Sequence, residues 1–271
     1  MTLRLGVLTD LHVAEPGTPD DTWINTKRLG RSAELLARAV DALGDAGVDA
    51  VVLLGDLTEN GAVAESGLVR RQLAAVGVPV FAVAGNHDVG GATDPVEVAG
   101  ARRPGPEGTD AAGFTLAAGT LERDGGQAYR EGRTPAPGGD RPYLWLSHFP
   151  VLDLAPALRQ RRLPHPGDLA NRSTVERFLT AHDGPVVVLS GHLHVHASVA
   201  AGPVLQLQHA SLVERPHAYT VVDLSVDQIS AVVEVVRRTE TFEDTAPVDP
   251  FLCARQERWL WDDGTWQPQG S

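Results

Sequence analysis

The feature that most restricts this chain recurs five times: a short apolar run closed by a polar cluster. Leu3–Thr9 leads into Asp10-Leu-His12, Asp49–Leu54 into Gly55-Asp56, and Val78–Ala84 into Gly85-Asn-His-Asp88. Tyr143–Ser147 closes on Ser147-His148, and Pro185–Ser190 leads into Gly191-His-Leu-His194. Continuous apolar runs bounded by turn residues predict parallel strands covered on both faces. Between the first three runs, the three- and four-residue recurrence of Leu29, Leu35, Leu36, Ala39, Val40 and Leu43 predicts a helix over Asn25–Leu43. Gly47 suits its stop, and Ala62–Ala75 reads as a second helix. Strand–helix–strand–helix–strand implies right-handed βαβ units on one sheet, hence an α/β protein. Ligands of such sheets bind beyond the carboxyl ends of the strands. Five polar clusters at such ends can therefore share one site.

The texture changes over Val89–Asp140, where Gly and Pro are dense and only Gly113–Ala118 and Ala128–Arg130 hint at strands. Long loops in compact domains are commonly functional, so this stretch is expected to be an irregular insertion around the site mouth. Ser173 is expected to cap a helix running to about His182, with Glu176 placed for a capping box. After Gly191 the pattern is meander-like: His194–Ala200, Val204–Gln208, Ala218–Leu224 and Ile229–Arg237. The expected division is a main domain over 1–241 and a Trp-rich extension over 242–271. That extension packs back on the body or makes a subunit contact, which leaves a homo-oligomer open.

Composition removes several classes of function. The 271 residues carry 23 Lys+Arg against 35 Asp+Glu, a net charge of −12, which disfavours a partner such as long nucleic acid. A small anionic substrate stays open, because bound cations can supply positive charge locally. No apolar run is long enough to span a membrane. The first ten residues are too short in apolar character for a signal peptide, and the lone cysteine, Cys253, suits a reducing compartment. A cytoplasmic protein is expected.

Five of the ten histidines (His12, His87, His148, His192 and His194) fall in the polar clusters beside Asp10, Asp56, Asn86 and Asp88. Mixed oxygen and imidazole donors suit a divalent transition metal. In Asp10-x-His12 both side chains leave one face of an extended segment, and His192-x-His194 repeats the spacing. Gly55 and Gly85 suit sharp turns. Asn86 points away from a structural zinc site, and a single cysteine excludes thiolate ligation. Each cluster alone reads as well as a turn cap or a buried histidine; their joint placement is what speaks for a site. Outside the set, Trp23, Arg102 and Arg103 are weaker candidates for substrate contact. His196 is expected to face outward, and His209 and His217 carry no assignment. Cys253 is expected to be a small packing residue. No nucleophile elbow or nucleotide-binding glycine loop occurs in the right context.

The ordered set resembles that of the calcineurin-like metallophosphoesterase family, D-x-H, G-D, G-N-H-[DE], H and G-H-x-H, with no part missing between Asp10 and His194. The resemblance implies a four-layered α/β/β/α sandwich of two mixed β-sheets flanked by helices. It also implies two divalent ions, with Mn or Fe expected first and Zn as an alternative. Asp10, His12, Asp56 and His194 would hold one ion. Asp56, Asn86, His148 and His192 would hold the other, with Asp56 shared. A metal-bridging hydroxide would attack phosphorus in line, and His87, oriented by Asp88, would assist the leaving group and bind substrate together with Asn86. The spacing is similar to the bacterial cyclic-nucleotide phosphodiesterase branch, which implies a small nucleotide-like phosphodiester. A phosphomonoesterase is the alternative. A non-catalytic protein keeping only the fold is the alternative of another class; such relatives lose metal ligands, and here every ligand position is kept.

Overall fold

The computed structural model describes residues 1–91, 94–105, 107–125, 128–132, 141–165, 167–227, 232–242 and 256–270. Its strands are β1 (Thr2–Leu8), β2 (Asp21–Thr22), β3 (Thr26–Lys27), β4 (Ala50–Leu54), β5 (Val80–Val83), β6 (Thr109–Ala111), β7 (Phe114–Ala118), β8 (Thr120–Arg123) and β9 (Tyr129–Gly132). They continue as β10 (Tyr143–Leu146), β11 (Val186–Ser190), β12 (Ala197–Ala201), β13 (Val204–Gln208), β14 (Ala218–Val226), β15 (Val233–Thr241), β16 (Gln256–Asp262) and β17 (Thr265–Gln269). The helices are α1 (Ser32–Asp45), α2 (Val63–Leu73), α3 (Pro95–Val98), α4 (Ala155–Gln160) and α5 (Arg172–Thr180).

One sheet runs β17-β16-β15-β14-β1-β4-β5 and the other β12-β13-β11-β10-β7-β6. Both are mixed. β1, β4 and β5 are parallel, as are β7, β10, β11 and β13, and antiparallel strands continue from them. The two-residue period of a strand sorts the side chains of each buried run into two layers. Val52 and Leu54 of β4 meet Leu144, Leu146, Val187 and Leu189 between the sheets. Val51 and Leu53 point the other way, onto Leu35, Leu36, Ala39, Val40 and Leu43 of α1 and Val69 and Leu73 of α2. On the far side, Val186 and Val188 of β11 pack with Trp145 against Val175 and Leu179 of α5. Helix, sheet, sheet, helix is the expected four-layer order.

Several local expectations change. The helix predicted from Asn25 begins at Ser32, after a 3₁₀ turn over Leu29–Arg31. The preceding residues are drawn off by tertiary pairing: β2 and β3 form a two-stranded sheet, and Arg28 N donates to Val213 O at 2.9 Å. Gly47 does stop the helix, with φ at 64°. Val89–Asp140 is not simply an irregular insertion. Its β7 is a buried member of the second sheet beside β10, and β8–β9 form a hairpin; 133–140 lie outside the described residues. Ser173 does not cap its helix, because Asn171 takes that position and Ser173 lies inside. The strand predicted from His194 starts only at Ala197; the one predicted from Ile229 is strand over Val233–Thr241, and 228–231 lie outside the described residues. The Trp-rich stretch adds β16 and β17 to the first sheet, and Trp261 and Trp266 join the layer between the sheets. Cys253 lies outside the described residues. Among the described residues, no helix is long and apolar enough to cross a membrane.

Candidate active site

The carboxyl ends of β1, β4, β5, β10 and β11 meet along one edge of the sandwich, and each polar cluster begins there. Backbone bonds carry the pairing on into the loops. Asp10 N donates to Gly55 O at 3.1 Å, His12 N to Asp56 O at 2.8 Å, and Gly191 N to His148 O at 2.9 Å. The loops do not stay extended, contrary to the reading of the two x-spaced pairs. Asp10, His12, Asp56, His192 and His194 all have φ between 41° and 73°, the left-handed region that side chains avoid. Strain of about 1–3 kcal/mol per residue persists only where surrounding contacts over-determine it, and it clusters at functional sites. Gly55 has φ at 89°, as a sharp turn requires. Gly85 has a different reason to be glycine: a Cβ there would collide with Asp56, both its backbone N and its Oδ1.

These turns bring ring nitrogens and carboxylates together. His194 Nε2 lies 3.4 Å from Asp10 Oδ1 and 3.4 Å from His12 Nε2, which is 3.6 Å from Asp56 Oδ2. His148 Nε2 lies 3.4 Å from Asp56 Oδ2 and 3.1 Å from Asn86 Oδ1. Three groups have ligand atoms close enough for one ion: two of them contain Asp10 (Asp10, His12 and His194, and Asp10, Asp56 and His148), and the third is His12, Glu59 and His87. Asp10 thus stands within reach of both of the former. His192 Nε2 is buried with no hydrogen-bond partner among the described residues.

The outward nitrogens explain why the Nε2 atoms face in. His12 Nδ1 is 2.6 Å from Glu59 Oε2, His194 Nδ1 2.7 Å from Glu214 Oε2, and His148 Nδ1 2.8 Å from Leu54 O. A carbonyl only accepts, so His148 carries its proton on Nδ1 and presents Nε2 as a lone pair when neutral. His87 is built likewise, with Nδ1 donating to Glu59 O at 2.7 Å. Its backbone N donates to Asp56 Oδ1 at 2.9 Å, and its side chain remains about a third exposed.

Burial works against ionisation of Asp10, yet the fields of His194 and His148 bring it down to about 2. Asp56 is held well below the usual carboxylate range, against burial, by His148 and His12. Burial opposes the charge on His148 and His194, but Asp56 and Asp10 raise the first, and Asp10 and Glu214 the second, to about 9. His192 is pushed to about 3 by burial and by the charge of His148. The buried carboxylates thus favour protonation of the imidazoles facing them, and a cation held there would take the place of those protons. The donor set of carboxylate, imidazole and one amide fits divalent ions, and His192 Nε2, buried with no hydrogen-bond partner among the described residues, is an atom that such an ion would satisfy.

The chain matches the family model for calcineurin-like phosphoesterases over residues 3–196. It belongs to that family. The phosphoesterase is therefore a metal-dependent hydrolase, and its family implies two divalent ions. It is similar in fold to a dimetal phosphatase from Danio rerio, with TM-score 0.64 and 17% identity over 88% of this chain and 96% of the other. A purple acid phosphatase from yellow lupin (Lupinus luteus) seeds superposes with TM-score 0.54 and 14% identity, over 92% of this chain and 53% of the other. At such identities the likeness concerns the fold. No curated protein matches the chain in sequence.

The other expected residues of the phosphoesterase fall in different places. Trp23 lines the cavity of about 130 Å³ at the site, together with Lys27, His12, Asp56, Asn86, His87, His192 and His194. Asp88 does not orient His87. Its carboxylate accepts from the backbone N of Gly85, Leu57 and Thr58 and from the Thr58 hydroxyl, so it knits two loops together. Arg102 and Arg103 do not line this cavity. Arg102 lines a separate hollow with Arg70 and Pro79, and Arg103 is tied to Asp94 at 2.8 Å. His196 is buried rather than outward-facing, its Nδ1 3.4 Å from Thr239 Oγ1, and burial and Arg237 keep it neutral. Sequence reading missed Glu59 and Glu214, which lie 47 and 20 residues from the histidines they hold, and Lys27. For the two glutamates no local signal exists, since an acid far along the chain looks like any surface acid.

Proposed function

We propose that the phosphoesterase hydrolyses a small, nucleotide-like phosphoester. Asp10, His12, Asp56 and His194 would hold one ion, and Asp56, Asn86, His148 and His192 the other, with Mn or Fe first and Zn as an alternative. The observation that carries this is the convergence of the Nε2 atoms of His12, His148 and His194 on the Asp10 and Asp56 carboxylates. When bound, two such cations neutralise phosphoryl oxygens and lower the pKa of a water for in-line attack.

The chain's own residues do the remainder. Asp56 is set to be shared, because Oδ2 faces both His12 and His148 while Oδ1 is pinned by His87 N. His87 serves as the acid for the departing oxygen: with Nδ1–H fixed on the Glu59 carbonyl, the imidazolium gives up its Nε2 proton and stays in a stable tautomer. Trp23, about a third exposed at the cavity wall, offers a flat face for a base. The sequence resemblance puts a diester such as a cyclic nucleotide first and a nucleotide or small-metabolite monoester second.

The test is turnover of bis(p-nitrophenyl) phosphate and p-nitrophenyl phosphate after chelator treatment and reloading with Mn, Fe or Zn. Hydrolysis that returns with the ions supports the reading. No turnover of either ester with any ion overturns it in favour of a protein that keeps the fold without the chemistry.

A further inference from the structure

Lys27 is the only lysine in the chain, against 22 arginines. It lies in β3, is 7% exposed, and lines the cavity beside His12, Asp56 and His87. Among the described residues its ammonium has no hydrogen bond or ion pair. In a chain with 35 acidic residues, a cation that makes no direct ion pair among the described residues stands out. A buried one is costly unless an anion arrives.

Its placement is fixed by backbone. Lys27 bridges to Glu214, Arg28 N donates to Val213 O at 2.9 Å, and Asn25 Nδ2 donates to Arg215 O at 3.3 Å. The Asn25 backbone N is taken by the Glu214 carboxylate, the same group that holds His194. The hairpin carrying Lys27 and its neighbour Trp23 is thus stapled to a ligand-bearing segment.

An ammonium is a compact point charge, whereas a guanidinium is a broad planar fork. In so small a cavity the compact charge is the one that reaches a single oxygen. A phosphodiester has two unesterified oxygens and one negative charge; a monoester has three and up to two. Were two of those oxygens taken by cations held on the Asp10, Asp56 and histidine cluster, the third would fall to a donor from the chain. In a diester that position carries an ester group, which gains nothing from an ammonium.

We propose that Lys27 is the phosphoryl-oxygen anchor of this site and that it tunes the enzyme toward phosphomonoesters, with Trp23 beside it receiving the substrate's flat group. The inference rests on the phosphoesterase reading and moves the preferred substrate from the diester to the monoester. A hydrogen bond to a charged group is worth about 1.5–3 kcal/mol. Lys27→Met is therefore expected to lower the monoester-to-diester ratio of kcat/KM (p-nitrophenyl phosphate over its bis ester) at least ~10-fold, chiefly through KM, with metal content unchanged. A ratio altered less than about twofold overturns the proposal.

A second measurement needs neither variant nor turnover. Cyanate carbamylates amines, and the wild-type chain offers one ε-amine besides its α-amine. Inorganic phosphate is expected to slow carbamylation of Lys27 at least ~5-fold, read by peptide mass spectrometry, while dimethyl phosphate does not, and the Met1 amine serves as internal control. Equal modification with and without phosphate overturns the proposal. Protection by phosphate in a protein that hydrolyses neither ester upholds the anchor and overturns the hydrolytic reading instead.

Discussion

Asp56 and His87 sit side by side yet are predicted to fail in different ways when changed. Asp56 faces two imidazoles and has no substitute, so Asp56→Asn is expected to abolish hydrolysis and reduce metal content together, measured by turnover and elemental analysis. His87 makes its bonds to Glu59 O and Asp56 and is not needed for the ligand cluster. His87→Ala should therefore keep its ions and lose roughly 10²–10⁴ in rate on esters with poor leaving groups. The loss should be smaller for p-nitrophenolate; equal losses on both would make His87 a positioning group rather than an acid. A third residue, Glu131, gives a pH signature in stability. It is buried, Trp145 Nε1 donates to it at 3.3 Å, and the Ser147 hydroxyl touches it while also facing Phe149 O at 2.7 Å. One hydroxyl hydrogen cannot serve both acceptors, so a protonated Glu131 completes the network. Burial accordingly pushes this carboxyl from 4.5 up to about 7, against its hydrogen bonds. The folded state keeps a proton that the unfolded chain releases, so this contribution is full below about 4.5 and is lost as pH rises through about 7. Unfolding free energy in urea should fall by about 3 kcal/mol over that window, and Glu131→Gln should flatten the slope. At this scale the sequence located the polar side chains that meet beyond the strands, because strand ends announce themselves. It did not show Glu59, Glu214, Glu131 or Lys27, whose roles exist only through contacts made across the chain. Asp88 misled because adjacency to His87 looked like partnership, whereas its carboxylate is spent on loop backbone.

Among elements, the β2–β3 hairpin and the segment after β13 form one working unit. Glu214 holds His194 with one oxygen and the Asn25 backbone with the other. Partners that orient a metal-ligating imidazole are commonly worth 10–100-fold in metal affinity. Glu214→Gln should therefore weaken binding of one of the two ions by about that factor, in a metal titration, while raising KM through a looser Lys27 and Trp23. A change confined to KM would show that His194 needs no such support. The hairpin also explains why helical periodicity overran its true start. Leu29 falls on the helical phase, but Thr26 and Lys27 are claimed by strand pairing before the helix can include them. β7 was readable only as a hint, because a five-residue strand buried among its neighbours shows no alternation to count. The five long apolar runs needed no such help. Their turn-bounded ends located every polar cluster correctly.

On the scale of the molecule, the two sheets share the site unequally: Asp10, His12, Asp56 and Asn86 come from the first, and His148, His192 and His194 from the second. The apolar layer between them sets how far apart those groups stand, and Trp266 ties the first sheet to the turn after β12 by donating to Pro203 O at 2.7 Å. Ions that bind only the folded chain stabilise it by about 2.7 kcal/mol at a hundredfold excess over Kd. The chelated enzyme should melt at a lower temperature than the loaded one, by calorimetry; an unchanged transition would mean that the ligands are not held by ions at all. Because donors from both halves would grip the same pair of cations, filling the pocket works like a rivet through two plates. Slow amide exchange should then spread, on loading, along the strands of both plates and not only around the rim.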